Sequence, residues 1–118
     1  MKRGTILLIL VAATFALTLS LTAPAQAASR TWVSGVGSDG NPCTRTAPCL
    51  TFNGAYGRTA AFGEINCLDP GSFGELFIQK SITVSCETGT AGIFVPAVDN
   101  GIFIQVAATD TVYLRKCR

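Results

Sequence analysis

Five cysteines carry the most distinctive chemistry in this chain: Cys43, Cys49, Cys67, Cys86 and Cys117. Thiols can ligate a metal, run redox exchange or form structural disulfides. Metal ligation needs CxxC-type spacing or histidine partners, and the sequence has no CxxC and no histidine. A dithiol redox motif fails on the same spacing. Cys43 and Cys49 enclose Thr44-Arg45-Thr46-Ala47-Pro48, a loop short enough for a disulfide to close; the alternative is two free thiols. The odd number leaves one cysteine over. The lack of histidine also excludes Ser-His-Asp and Cys-His nucleophile systems. Among the aromatics that could stack on a ligand, Trp32 and Tyr56 read as core. Tyr113, alternating outward between Val112 and Leu114, is the better surface contact.

The elements that must position these groups lie behind a leader. Lys2 and Arg3 precede the uncharged, mostly apolar stretch Thr5 to Leu21. Pro24 then breaks the helix, and Ala25-Gln26-Ala27 supplies small residues. This pattern predicts a secretory signal peptide over residues 1–27, cleaved after Ala27, rather than an uncleaved anchor. Cleavage leaves 91 of the 118 residues, with no membrane segment. The expected location is secreted, periplasmic or extracellular, where disulfides persist. Loss of Lys2 and Arg3 leaves seven basic against seven acidic residues, which speaks against a nucleic-acid partner. The chain is 48% hydrophobic and 14% charged, which fits one ordered domain.

Arg30 to Ser34 reads as a short strand and Gly35 to Pro48 as a loop rich in turn residues. Within Thr51 to Ala61, residues Phe52, Ala55, Tyr56 and Ala60 fall on one helical face, with Thr51 as N-cap. After Gly63 the period changes. Glu64 to Cys67, Thr83 to Cys86 and Phe103 to Val106 align at nineteen to twenty residues, and alternation puts Ile65 and Cys67, Val84 and Cys86, and Ile104 and Val106 on one face. A second set, Leu76 to Ile78, Ile93 to Val95 and Val112 to Leu114, aligns at seventeen and nineteen. Turn residues separate the sets. Two strands per repeat, three times over, predict a β-solenoid in preference to an antiparallel sandwich.

Several stretches resemble a known family. Thr31-Trp32-Val33-Ser34-Gly35-Val36-Gly37-Ser38-Asp39-Gly40-Asn41-Pro42 looks like the opening of secreted right-handed parallel β-helix proteins of the pectate-lyase-like superfamily. Ala47-Pro48-Cys49-Leu50-Thr51-Phe52-Asn53-Gly54-Ala55, Gly63 to Phe73 and Lys80-Ser81-Ile82-Thr83-Val84 match its following segments. The resemblance runs from Thr31 to about Leu114, and is similar in its cysteines to a bacterial subgroup with no assigned reaction. It implies an all-β fold, a right-handed parallel β-helix of about three coils. An N-terminal strand and short helix over residues 28–62 would cap the coils of residues 63–118. It also implies that Cys67 and Cys86 fall at one inward position of successive coils. Stacked strands there lie about 4.8 Å apart, inside the disulfide range of about 4.4–6.8 Å. That pairs Cys67 with Cys86, the alternative being two stacked thiols, and leaves Cys117 as a free thiol.

A lyase of this superfamily would need clustered carboxylates for calcium and a base for the proton α to the uronate carboxyl. A hydrolase would need two or three close carboxylates. Asp39, Glu64, Asp69, Glu75, Glu87, Asp99 and Asp110 form no D-x-D or D-D cluster. Asp39, in its Gly-Ser-Asp-Gly loop, reads as a turn residue more than a calcium ligand. The sequence therefore assigns no catalytic residue, metal or cofactor. It predicts a secreted, non-catalytic β-helix protein that binds polysaccharide or another surface. The alternative is a remnant of a carbohydrate-active enzyme; a disulfide-rich inhibitor fits the long repeat poorly. The abrupt basic end, Arg115-Lys116-Cys117-Arg118, predicts a truncated family member that self-associates through an open C-terminal coil edge at Val112 to Leu114 or through Cys117; the alternative is a basic terminus that discourages edge pairing.

Overall fold

The structure, a computed structural model, describes residues 26–88, 91–93 and 101–117. The expected leader lies outside the described residues except for Gln26 and Ala27. The chain runs through strand β1 (Ala28–Val33), helix α1 (Phe52–Arg58) and strand β2 (Thr59–Cys67). It continues as β3 (Gly71–Ser72), β4 (Leu76–Ile78), β5 (Ile82–Ser85), β6 (Ala91–Gly92), β7 (Ile102–Ile104) and β8 (Val112–Arg115). The described strands form three parallel sheets, ordered β1-β2-β5-β8, β3-β6 and β4-β7, and none closes into a barrel. No helix among the described residues is long and apolar enough to cross a membrane.

Period-2 alternation decides which side chains meet. In β2, Ile65 and Cys67 turn inward; in β5, Ile82 and Val84 do. The parallel register places Thr31, Ile65, Val84 and Leu114 in one column across the four strands. Thr31 is the polar member of that column, and its hydroxyl is satisfied by the Thr59 hydroxyl at 2.8 Å. The core formed this way includes Val33, Phe52, Phe73, Leu76 and Ile78, all buried.

The nineteen-residue spacing holds for β2 on β5, where Glu64, Ile65 and Asn66 pair with Thr83, Val84 and Ser85. The third repeat departs from it. Phe103 lies in β7, which pairs with β4 and not with β5; Ile82 pairs instead with Val112, thirty residues on. The expected second set breaks correspondingly. Val112 to Leu114 joins the first sheet, and Ile93 follows β6, which pairs with β3. Phe94, Val95 and Asp99 lie outside the described residues. The physical reason is a longer excursion between β5 and β8, which shifts the phase of a repeat counted at constant spacing. Ile104, expected to point inward, is 47% exposed.

The helix also ends earlier than its apolar spacing suggests. From Thr59 the chain belongs to β2, where Thr59 pairs with Ala28 and Glu64 with Arg30 across an irregularity in which Phe62 takes a left-handed φ of 61. Strand pairing at Thr59 and the burial of that side chain outweigh the strong intrinsic helical preference of Ala60. The strand consequently straddles residues 62 and 63, where a boundary between cap and coils was expected.

Asp39 fixes the start of α1. Its carboxylate accepts from the Leu50 N–H and the Thr51 N–H, each at 2.9 Å, and from the Thr51 hydroxyl at 2.7 Å. Thr51 is the N-cap and accepts from the Gly54 N–H at 3.0 Å. Gly54 is required here: a Cβ at this position would lie 2.3 Å from the Asp39 carboxylate. Partial burial works against ionisation of Asp39, but the Thr51 and Leu50 hydrogen bonds and the Arg58 charge outweigh it and hold the carboxyl below its ordinary 3.8. The sign follows from linkage. A carboxyl whose folded value is depressed stabilises the fold above its unfolded pKa, and that contribution fades as pH falls through the folded value. Asp39→Ala should cost about 1–2 kcal/mol at neutral pH. Urea unfolding at pH 7 and pH 3 checks it, because the difference between variant and parent should shrink at the lower pH.

Candidate functional site

Alternation in β4 buries Leu76 and Ile78 and turns Phe77 outward. In β7 the registered partner of Phe77 is Phe103. Their rings stack with centroids 4.9 Å apart and an interplanar angle of 4°. Phe77 is 40% exposed and Phe103 44%. Each ring uses one face on the other. A phenyl group gains nothing from water, so an exposed aromatic pair marks a surface with another use. Asn53, Glu75, Leu76, Phe77 and Phe103 line a groove of about 140 Å³ at this stack. The combination is an apolar face with an amide and a carboxylate at its margin.

Flanking structure holds the groove in place. Asn53 stands in the first turn of α1 beside the buried Phe52, whose ring packs 5.2 Å from that of Phe73. The Phe52 N–H donates to the Phe73 carbonyl at 2.9 Å, tying the helix to the segment leading into β4. Beyond β4, the Gln79 N–H donates to the Tyr56 hydroxyl at 2.8 Å. Lys80 Nζ lies 4.2 Å from the Tyr56 ring centre and donates to the Tyr56 and Thr59 carbonyls. Burial pushes the Lys80 ammonium below its usual value. Its carbonyl and ring contacts make it a clamp between α1 and the turn after β4.

The residues singled out in the sequence fall elsewhere. Cys43 is joined to Cys49, and Cys67 to Cys86, by disulfides. Cys117 is a free, half-buried thiol whose Sγ lies 3.8 Å from that of Cys86. Tyr113 points outward and is 55% exposed, but on the four-stranded sheet rather than in the groove. Trp32 and Tyr56 are both half-buried. Asp69 accepts from the Ser34 hydroxyl and the Gly35 N–H, and Asp110 from the Ser81 hydroxyl and the Ala107 N–H. Those contacts, the Ser81 hydroxyl foremost, hold Asp110 below the usual carboxylate range. Glu64 pairs with Arg30 at 3.2 Å on the surface. Each of these acids is engaged by the chain itself. Among the described residues, Glu75 is the only acid lining the groove.

Sequence reasoning missed Phe77 and Phe103. The signal for Phe77 was present, because an aromatic between two core residues of a strand must face outward. Phe103 was hidden by the phase shift, since it pairs with a residue twenty-six positions earlier and not nineteen.

Compared with family models, with curated proteins and with solved structures, the chain has no match.

Proposed function

We propose that this chain is an exported, non-catalytic polysaccharide-binding protein that holds saccharide rings on the Phe77–Phe103 stack. The carrying observation is that exposed, registered pair of aromatic rings beside Asn53 and Glu75. A pyranose presents an apolar C–H face that packs on an aromatic ring, while its hydroxyls need the polar groups at the margin. Asn53 supplies both a donor and an acceptor, and Glu75 an acceptor. Among the described residues Glu75 is the one carboxylate at the groove, and glycoside cleavage uses a pair, so the reading favours binding over hydrolysis.

In this reading the architecture is a right-handed parallel β-helix of the pectate-lyase-like kind, with β1 and α1 as its cap. The parallel stacking of β1, β2, β5 and β8 and the N-terminal position of α1 support it. Export through the expected leader is part of the same proposal, and the two disulfides suit a non-reducing compartment. Retention on a panel of immobilised neutral and acidic polysaccharides tests the binding function. Retention by at least one, reversed by its soluble oligosaccharide, is the expected result. Passage through every matrix, or release of shortened or unsaturated products from any of them, would overturn the proposal.

A further inference from the structure

Cys67, Cys86 and Cys117 bring three sulfur atoms to one end of the four-stranded sheet, at the C-terminal ends of β2, β5 and β8. The first two are bonded, and the third is a thiol 3.8 Å from Cys86 Sγ. Its position there is built by the backbone. Ser85 pairs with Arg115, so simple continuation of the ladder would set Lys116 over Cys86. Lys116 instead takes a left-handed conformation, φ 54, and the chain turns so that Cys117 bridges to Ala91 and faces the disulfide. A left-handed lysine is disfavoured by its Cβ. The close approach of the third sulfur is what this conformation achieves.

We propose that these three cysteines form an internal thiol–disulfide exchange site, in which the crosslink passes between Cys67–Cys86 and Cys86–Cys117. The Cys117 thiol loses its proton to solvent, and the thiolate attacks Cys86 Sγ. The Cys86–Cys117 bond forms as the Cys86–Cys67 bond breaks. Cys67 leaves as a thiolate and takes up a proton. One disulfide and one thiol are present before and after, so no oxidant or reductant is consumed. Cys86 is the shared atom because Cys117 Sγ approaches its sulfur. The two links close loops of 19 and 31 residues, whose closure entropies differ little, so neither arrangement is strongly favoured on that ground. Burial raises the Cys117 thiol above its usual value, which slows the exchange without blocking it. The exchange moves a staple from the β2–β5 pair to β5–β8, which gives the site a means of locking or releasing the last described strand.

The test uses the oxidised protein held at about pH 8, where thiolate is available. Samples are quenched in acid, alkylated under denaturing conditions and mapped without reduction. Alkylated Cys67 and a Cys86–Cys117 linked peptide should rise together, as alkylated Cys117 falls. Cys117→Ala should lower Cys67 alkylation by about tenfold or more, since no attacking thiol remains. Should Cys117→Ala fail to fold, Cys67→Ala offers a second route: on air oxidation it should form Cys86–Cys117. Cys67 alkylation in the parent no higher than in Cys117→Ala, free Cys86 and Cys117 in oxidised Cys67→Ala, or a prominent Cys67–Cys117 link would overturn the proposal.

Discussion

Phe73→Ala should remove about 3–5 kcal/mol of stability, the range for truncating a fully buried aromatic ring. Phe73 is fully buried and packs against Phe52, the first residue of α1. Its backbone makes the same junction: the carbonyl accepts from Phe52, and the N–H donates to Gly92 in β6 at 3.0 Å. One residue thus joins the helix, the two-stranded β3–β6 sheet and the shared core. Domains are stable by only about 5–15 kcal/mol in total, so the loss is a large share. Denaturant unfolding followed by far-ultraviolet circular dichroism should show a much lower midpoint, or no folded baseline. A loss under about 1 kcal/mol would mean that the ring leaves no cavity and is not in the core.

Replacing both Cys67 and Cys86 by alanine should cost about 3 kcal/mol, because a crosslink across 19 residues restricts the unfolded chain by roughly that amount. The double substitution is the informative one, since Cys117 lies close enough to Cys86 to form a substitute link in a single variant. The Cys43–Cys49 disulfide closes only six residues and sits in the loop before α1, so its removal should cost less. Thermal unfolding of the two alanine pairs ranks them. Equal losses would show that loop length does not set the stabilisation.

Where the spacing is constant, the fold was legible in the sequence. Glu64 to Cys67 and Thr83 to Cys86 align at nineteen residues, and their parallel register is the one the structure has. Strand alternation also identified the inward positions Ile65, Cys67, Val84 and Cys86. What failed was the assumption of constant spacing. The chain takes thirty residues to pass from Ile82 to Val112, so the apparent third repeat at Phe103 belongs to another sheet. The same shift concealed the aromatic pair, because Phe77 and Phe103 become neighbours only once the true register is known. Tyr113 was legible as outward-facing, but sequence alternation does not say which outward surface carries a groove. At the helix end, Tyr56 and Ala60 satisfy helical spacing, yet pairing of Thr59 with Ala28 in β1 takes the chain into the sheet. Asp39 was legible only in part: its turn context suggested local hydrogen bonding, whereas its partners, the Leu50 and Thr51 N–H groups and the Thr51 hydroxyl, lie eleven and twelve residues further on.

We propose the Phe77–Phe103 stack as the surface that holds saccharide. The most direct measurement is affinity electrophoresis through gels containing the polysaccharide that retains the parent, comparing Phe77→Ala/Phe103→Ala with Tyr113→Ala on the other sheet. Both variants should keep the parent's circular dichroism, since all three rings are exposed. The double variant should lose retardation by about tenfold or more, the effect of losing roughly 1.5 kcal/mol of aromatic contact, while Tyr113→Ala should be retarded like the parent. Undiminished retardation of the double variant, or a loss confined to Tyr113→Ala, would contradict it.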